Sequence, residues 1–242
     1  GLATIAILSS MVLVTLVGAA SIYAGKKDYL VSAAPHDYSV TGTNVDLTNT
    51  QKVMSDFLAQ SGNQVNRKVE VNYLYFGIKE QEKNKLTIFS ENERKVLPKS
   101  IFLVFSQATY KQLTGKNLNL ASNQVGLFTK NKTLKGQKSL SVNGQTYQIQ
   151  DALNDFIKGK VPNIFTIIVS DYNYLVVPDM GDFQESIEGT ATTQATYIGV
   201  NVKDPSHDAK KNSDLLDQMT DKVTQQLAGQ TTGVPESYLT AN

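Results

Sequence analysis

The sequence predicts an α+β protein: one N-terminal transmembrane helix, then a mixed, mainly antiparallel sheet domain with about three helices. Three observations carry this prediction. Residues 1–25 (GLATIAILSSMVLVTLVGAASIYAG) hold no charged side chain before Lys26. After Lys27, strand-like apolar runs alternate with stretches whose apolar residues recur at helical spacing. Asn143–Gly144 sits between two alternating runs, a strong hairpin signal.

At 1.5 Å per residue the first 25 residues would span roughly 35 Å, enough for a hydrocarbon core of about 30 Å. Tyr23 and Tyr29 stand where interfacial rings belong, and Lys26 and Lys27 close the run. A cleaved signal peptide has a basic leader and a shorter apolar core, which this run lacks. Ala3, Ser10, Gly18, Ser21 and Gly25 fall within roughly an 80° arc of a helix. Small residues on one face let helices approach closely in lipid, so this helix is expected to pack against others. Residues 26–242 then form the extracytoplasmic domain.

Asp37 to Val40 reads as a short entering strand. Asn49 to Gln60 reads as a helix, with Val53, Met54, Phe57 and Leu58 on one face and Gly62 beyond its end. Val69 to Ile78 is a long strand, and Lys79 to Lys85 a charged turn leading to Leu86–Phe89. Ile101 to Phe105 is continuously apolar, as in a strand buried on both faces. Ser106 caps a short helix through Leu113 that Gly115 ends. Gln124 to Thr129 is a strand, and Lys138–Val142 and Gln145–Gln150 flank the Asn143–Gly144 turn. Ile164 to Val169, Asn173 to Val177 and Thr193 to Val202 complete the strands. Leu215, Leu216, Met219, Val223 and Leu227 recur at helical spacing, with Gly229 as the stop. The tail from Gln230 to Asn242 shows no pattern and is expected to lead toward a further membrane segment. If the domain has two lobes, the turn-rich stretch Lys130–Gln137 is where they divide.

Composition narrows the chemistry. The 242 residues are 40% hydrophobic and 19% charged, which suits a packed core. Lys and Arg number 23 against 22 Asp and Glu, so nothing points to nucleic acid. The absence of cysteine removes disulfides, thiolate nucleophiles and zinc–thiolate sites. His36 and His207 each stand beside an aspartate, Asp37 and Asp208, and sequential neighbours do not converge on one ligand. Both are expected to be solvated turn histidines. Asp171, Asp179, Asp182 and Glu185 gather around Pro178 without calcium-loop spacing, and acidic strand-end turns are common. Lys130 to Lys138 has no interleaved aromatics and reads as a solvated loop. Tyr73, Tyr75 and Phe76 are either an apolar binding surface or, the blander expectation, a strand covered on both faces. No serine-hydrolase elbow, zinc-protease, phosphate-loop or dinucleotide motif occurs. The chain is therefore not expected to be an enzyme, and no catalytic, cofactor or metal residue is assigned.

The apolar run, followed by KKDYLVSAAPHDYSV with its Pro35–His36–Asp37 element, resembles the FtsX-like permeases of ABC transporters. It is most similar to the large bacitracin-resistance type of Gram-positive bacteria, over about the first forty residues. The resemblance implies a permease subunit in the cell membrane whose ATP is bound by a separate cytoplasmic ATPase, often with a partner sensor histidine kinase. It implies that the extracytoplasmic domain recognises antimicrobial peptides or lipid-linked cell-wall precursors, serving export, resistance or sensing. Two other expectations stand beside it: the outer sensor domain of a membrane-anchored signalling protein, or a membrane-anchored cell-wall-binding protein.

Overall fold

The structure, a computed structural model, describes residues 13–17, 36–43, 45–150, 172–228 and 236–238. The chain forms two compact units. The first comprises residues 1–9, 73–161 and 168–194, and the second residues 10–72, 162–167 and 195–242.

The expected transmembrane helix is overturned at its centre. Leu13–Val17 is a β-strand (β1), not helix. It pairs antiparallel with β2 (Tyr38–Thr43) and parallel with β11 (Glu236–Tyr238). Three of its five residues are β-branched, which favours an extended backbone, and the two ladders satisfy its backbone polar groups. Among the described residues no helix is long and apolar enough to cross a membrane. The rest of residues 1–25 lies outside the described residues, as does the strand expected at Ile164–Val169. Pairing of β11 with β1 also corrects the reading of the tail as patternless.

The second unit holds β1, β2, α1 (Thr50–Gln60), α4 (Ala209–Gln226), β11 and parts of β3 (Val65–Glu82) and β10 (Thr192–Val202). Its strand order is β11-β1-β2-β10-β3. Alternation decides the packing. Tyr38 and Val40 of β2 and Ile198, Val200 and Val202 of β10 share one face, where Met54 and Leu58 of α1 and Leu216, Met219 and Val223 of α4 cover them. The Asp208 carboxylate caps α4 by accepting from the Lys210 and Lys211 amides at 3.0 and 3.2 Å. Thr50 Oγ1 donates to Gln226 Oε1 at 2.8 Å, joining the two helices.

The first unit contains the remainder of β3 with β4 (Lys85–Ile88), β5 (Ser100–Ser106), α2 (Gln107–Thr114), β6 (Gln124–Phe128), β7 (Ser139–Val142), β8 (Gln145–Gln150), β9 (Tyr172–Val177) and α3 (Met180–Ser186). Its ladders run β3-β4-β7-β8-β6-β9-β5 and return to β3, so seven strands close on themselves. Antiparallel and parallel pairs alternate from β3 through β4, β7, β8, β6 and β9 to β5, and the closing β5–β3 pair is antiparallel, so both ladders of β3 are antiparallel. Every strand turns alternate side chains inward: Phe76 and Ile78, Leu86 and Ile88, Phe102 and Val104, Val125, Leu140 and Val142, Tyr147, Leu175 and Val177 form one buried cluster with Leu134 and Phe183. A small closed barrel is filled by side chains in this way. The sheet is thus mixed, and four α-helices rather than about three occur among the described residues.

Local signals explain much of this unit. Asn143 and Gly144 both take positive φ, 50° and 85°, as the tight hairpin between β7 and β8 demands. Ser106 Oγ accepts from the Thr109 amide at 3.2 Å and starts α2. Ser106→Ala should cost about 1 kcal/mol, read as a lowered urea midpoint with unchanged slope. The turn-rich stretch 130–137 lies inside this unit, with Leu134 in its core.

Candidate functional site

His36 is buried, only 3% exposed, which corrects its reading as a solvated turn histidine. It stands just before β2 and lies against β10. The ring occupies the space a Cβ on Gly199 would need, so only glycine permits this close approach. The Tyr197 hydroxyl and His36 Nδ1 are 2.7 Å apart. Ser39 of β2 also hydrogen-bonds Tyr197, and this contact lowers the phenol pKa. Nε2 is buried and has no hydrogen-bond partner among the described residues.

Burial governs the electrostatics. It holds the His36 pKa down to about 4, helped by the positive charge of Arg67 on β3. Tyr197 is pushed well above the usual phenol range by burial, against the opposing effects of Ser39 and Arg67. Both groups are therefore neutral near pH 7.

Asp37 completes the attachment. Its carboxylate accepts from the Val202 amide at 2.9 Å, and its own amide donates to Asn201 Oδ1 at 2.8 Å. Burial raises the Asp37 pKa, and the Val202 amide opposes the shift by stabilising the carboxylate. The pair His36–Asp37 is thus a latch fixing the lead into β2 to β10 through two side chains and one amide.

The other singled-out residues are placed differently. His207 is exposed, just before α4. Asp179 caps α3, its carboxylate accepting from the Asp182 amide at 3.0 Å, so these residues open a helix rather than fill a loop. Glu185 follows in the same helix, and Asp171 lies outside the described residues. No group of three potential metal ligands gathers among the described residues. Tyr73, Tyr75 and Phe76 are all buried, on a strand covered on both faces. The lysines at 130, 132, 135 and 138 are exposed.

One polar cluster carried no sequence signal. The Arg94 guanidinium donates to both Glu91 carboxylate oxygens at 2.6 and 2.9 Å. It also donates to Thr193 Oγ1 at 2.9 Å and the Thr192 carbonyl at 3.1 Å. Beside it, Glu93 pairs with Lys79 at 2.6 Å and accepts from the Ser90 amide and hydroxyl at 3.0 and 2.8 Å, and these bonds hold its pKa down to about 2. The arrangement braces a turn and positions no reacting group.

No family model matches the chain, and no curated protein matches it. Among solved structures it is similar to a "putative lipoprotein" from Bacillus anthracis at 11% identity and a TM-score of 0.36. That match covers 73% of this chain and 90% of the other. A likeness at this level carries no argument about either fold or function.

Proposed function

We propose that this chain is a non-catalytic extracytoplasmic domain that recognises or couples in an FtsX-like permease assembly, acting on antimicrobial peptides or lipid-linked cell-wall precursors. The supporting observation is the His36–Asp37 latch. It lies in the Pro35–His36–Asp37 element that the resemblance rests on, and it ties the lead into β2 to β10. ATP would be bound and hydrolysed on a separate cytoplasmic subunit, and a sensor kinase would be a further partner.

The test is purification of the full gene product from membranes, with nucleotide hydrolysis followed as cell-wall-active peptides are added. Co-purification of an ATPase whose turnover rises with peptide is the expected result. Absence of an ATPase partner would sink this reading. A second reading, a membrane-anchored sensor or cell-wall-binding protein, is favoured by β1, because a chain whose residues 13–17 already belong to the sheet does not leave a membrane near residue 25.

A further inference from the structure

Among the described residues, the large hydrophobic side chains left exposed are Val96 and Leu97, at 47% and 65%. They are adjacent, on the turn Lys95–Lys99 that leads into β5. Every other large apolar side chain described in the barrel unit is covered at least in part.

This turn is braced on both sides. Before it, Arg94 is held by Glu91, Thr192 and Thr193, and the Val96 amide donates to the Glu93 carbonyl at 2.9 Å. After it, the half-buried Pro98 fills the space a side chain on Gly77 would take, and Ser100 is buried at the start of β5. The braced turn therefore holds the two aliphatic side chains as a small fixed apolar tip.

Charge identifies the occupant. The two acids of the preceding turn are matched, Glu91 by Arg94 and Glu93 by Lys79. Lys95 and Lys99 flank the apolar pair, are exposed, and make no ion pair among the described residues. Two side chains offer far less than the roughly 800 Å² per partner of a stable protein interface. A bilayer needs no such area or shape match, because the tip can enter the headgroup–acyl boundary while the lysines stay at phosphate level.

We propose that the Lys95–Lys99 turn is a membrane-contact element, seating Val96 and Leu97 in the interface of an anionic bilayer with Lys95 and Lys99 on the headgroups. This does not depend on the transport reading.

The chain has no tryptophan, so Leu97→Trp installs a single indole at the tip. The full chain carrying this change is titrated with phosphatidylcholine–phosphatidylglycerol vesicles and with pure phosphatidylcholine vesicles. A blue shift of the emission with the anionic vesicles, quenched by brominated lipid, is the expected result. Adding Lys95→Gln and Lys99→Gln should weaken that binding about thirty-fold, the loss of two lysine attractions near an anionic surface. Emission unmoved by either vesicle overturns the proposal, and such a result would hand the turn to a protein partner. An equal shift with both vesicle types overturns it too, since the lysines would then have no headgroup to select.

Discussion

Phe102→Ala is expected to destabilise the barrel unit by about 3–5 kcal/mol, the cost typical of truncating a buried aromatic in a core that cannot collapse around the gap. Phe102 is fully buried and lies directly opposite Phe76 across the β3–β5 ladder. The rings stack with centroids 5.7 Å apart and planes within 7°. On its other side β5 pairs with β9, where the buried Asn173 donates to Ser100 Oγ at 2.9 Å and to the Ile101 carbonyl at 3.2 Å. The backbone around Phe102 is therefore held by ladders on both edges and cannot relax inward. Whole domains are stable by only about 5–15 kcal/mol, so this loss is a large fraction. Urea unfolding followed by circular dichroism measures it. Leu97→Ala is the contrast: the side chain is mostly in water, and a change within about 0.5 kcal/mol is expected. If the two variants unfold alike, the closed-barrel packing assigned to Phe102 is wrong.

How much of this was legible in the sequence depends on the range of the interaction that fixes each element. Ile101–Phe105 could be read as a doubly covered strand because burial on both faces leaves no polar position in it. The Asn143–Gly144 hairpin and the Ser106 cap could be read because turn and cap chemistry are local. The ring was not legible, because its parallel pairs, β4 with β7, β6 with β8 and β5 with β9, join segments far apart in the chain. Leu13–Val17 was misread for a physical reason. An apolar run shows neither a period of two nor a stripe, so it fits a membrane helix and a buried strand alike, and only the ladders to β2 and β11 separate them. Asp179 looked like part of an acidic loop because α3 is too short to show a helical period.

The candidate site was less legible than the fold. His36 meets Tyr197 across 161 residues, and nothing near His36 in sequence marks it as buried. The one local trace is Gly199, two positions after Tyr197 and so on the same face of β10, which leaves room for the ring. A small residue in a strand has too many other uses for that trace to be read alone. Asp37 is half of the same case, since its carboxylate is satisfied by a backbone amide that no side-chain pattern reveals.

The burial of His36 makes stability depend on pH, and the direction follows from proton counting. Its pKa is near the ordinary 6.5 in the unfolded chain and about 4 in the folded one. Between those values the unfolded chain binds the extra proton and the folded chain does not, so stability falls as pH falls. The contribution is complete above about pH 6.5 and lost by about pH 4, and it amounts to about 3 kcal/mol for a shift of this size. Asp37 acts in the opposite sense, because its raised pKa lets the folded state take up a proton above the ordinary carboxylate range. The isolating measurement is therefore a difference: urea unfolding of the natural chain and of His36→Gln at a series of pH values between these limits. Asp37 is present in both proteins, so its contribution is common to the two curves. The natural chain is expected to lose about 3 kcal/mol relative to the variant across the window. Parallel stability curves would mean that His36 titrates in the fold as it does in the unfolded chain, and the latch would then be open to water. If the curves diverge as expected, the same protonation also places a positive charge in the buried contact with Tyr197, so the latch on β10 is the first contact that acid should loosen.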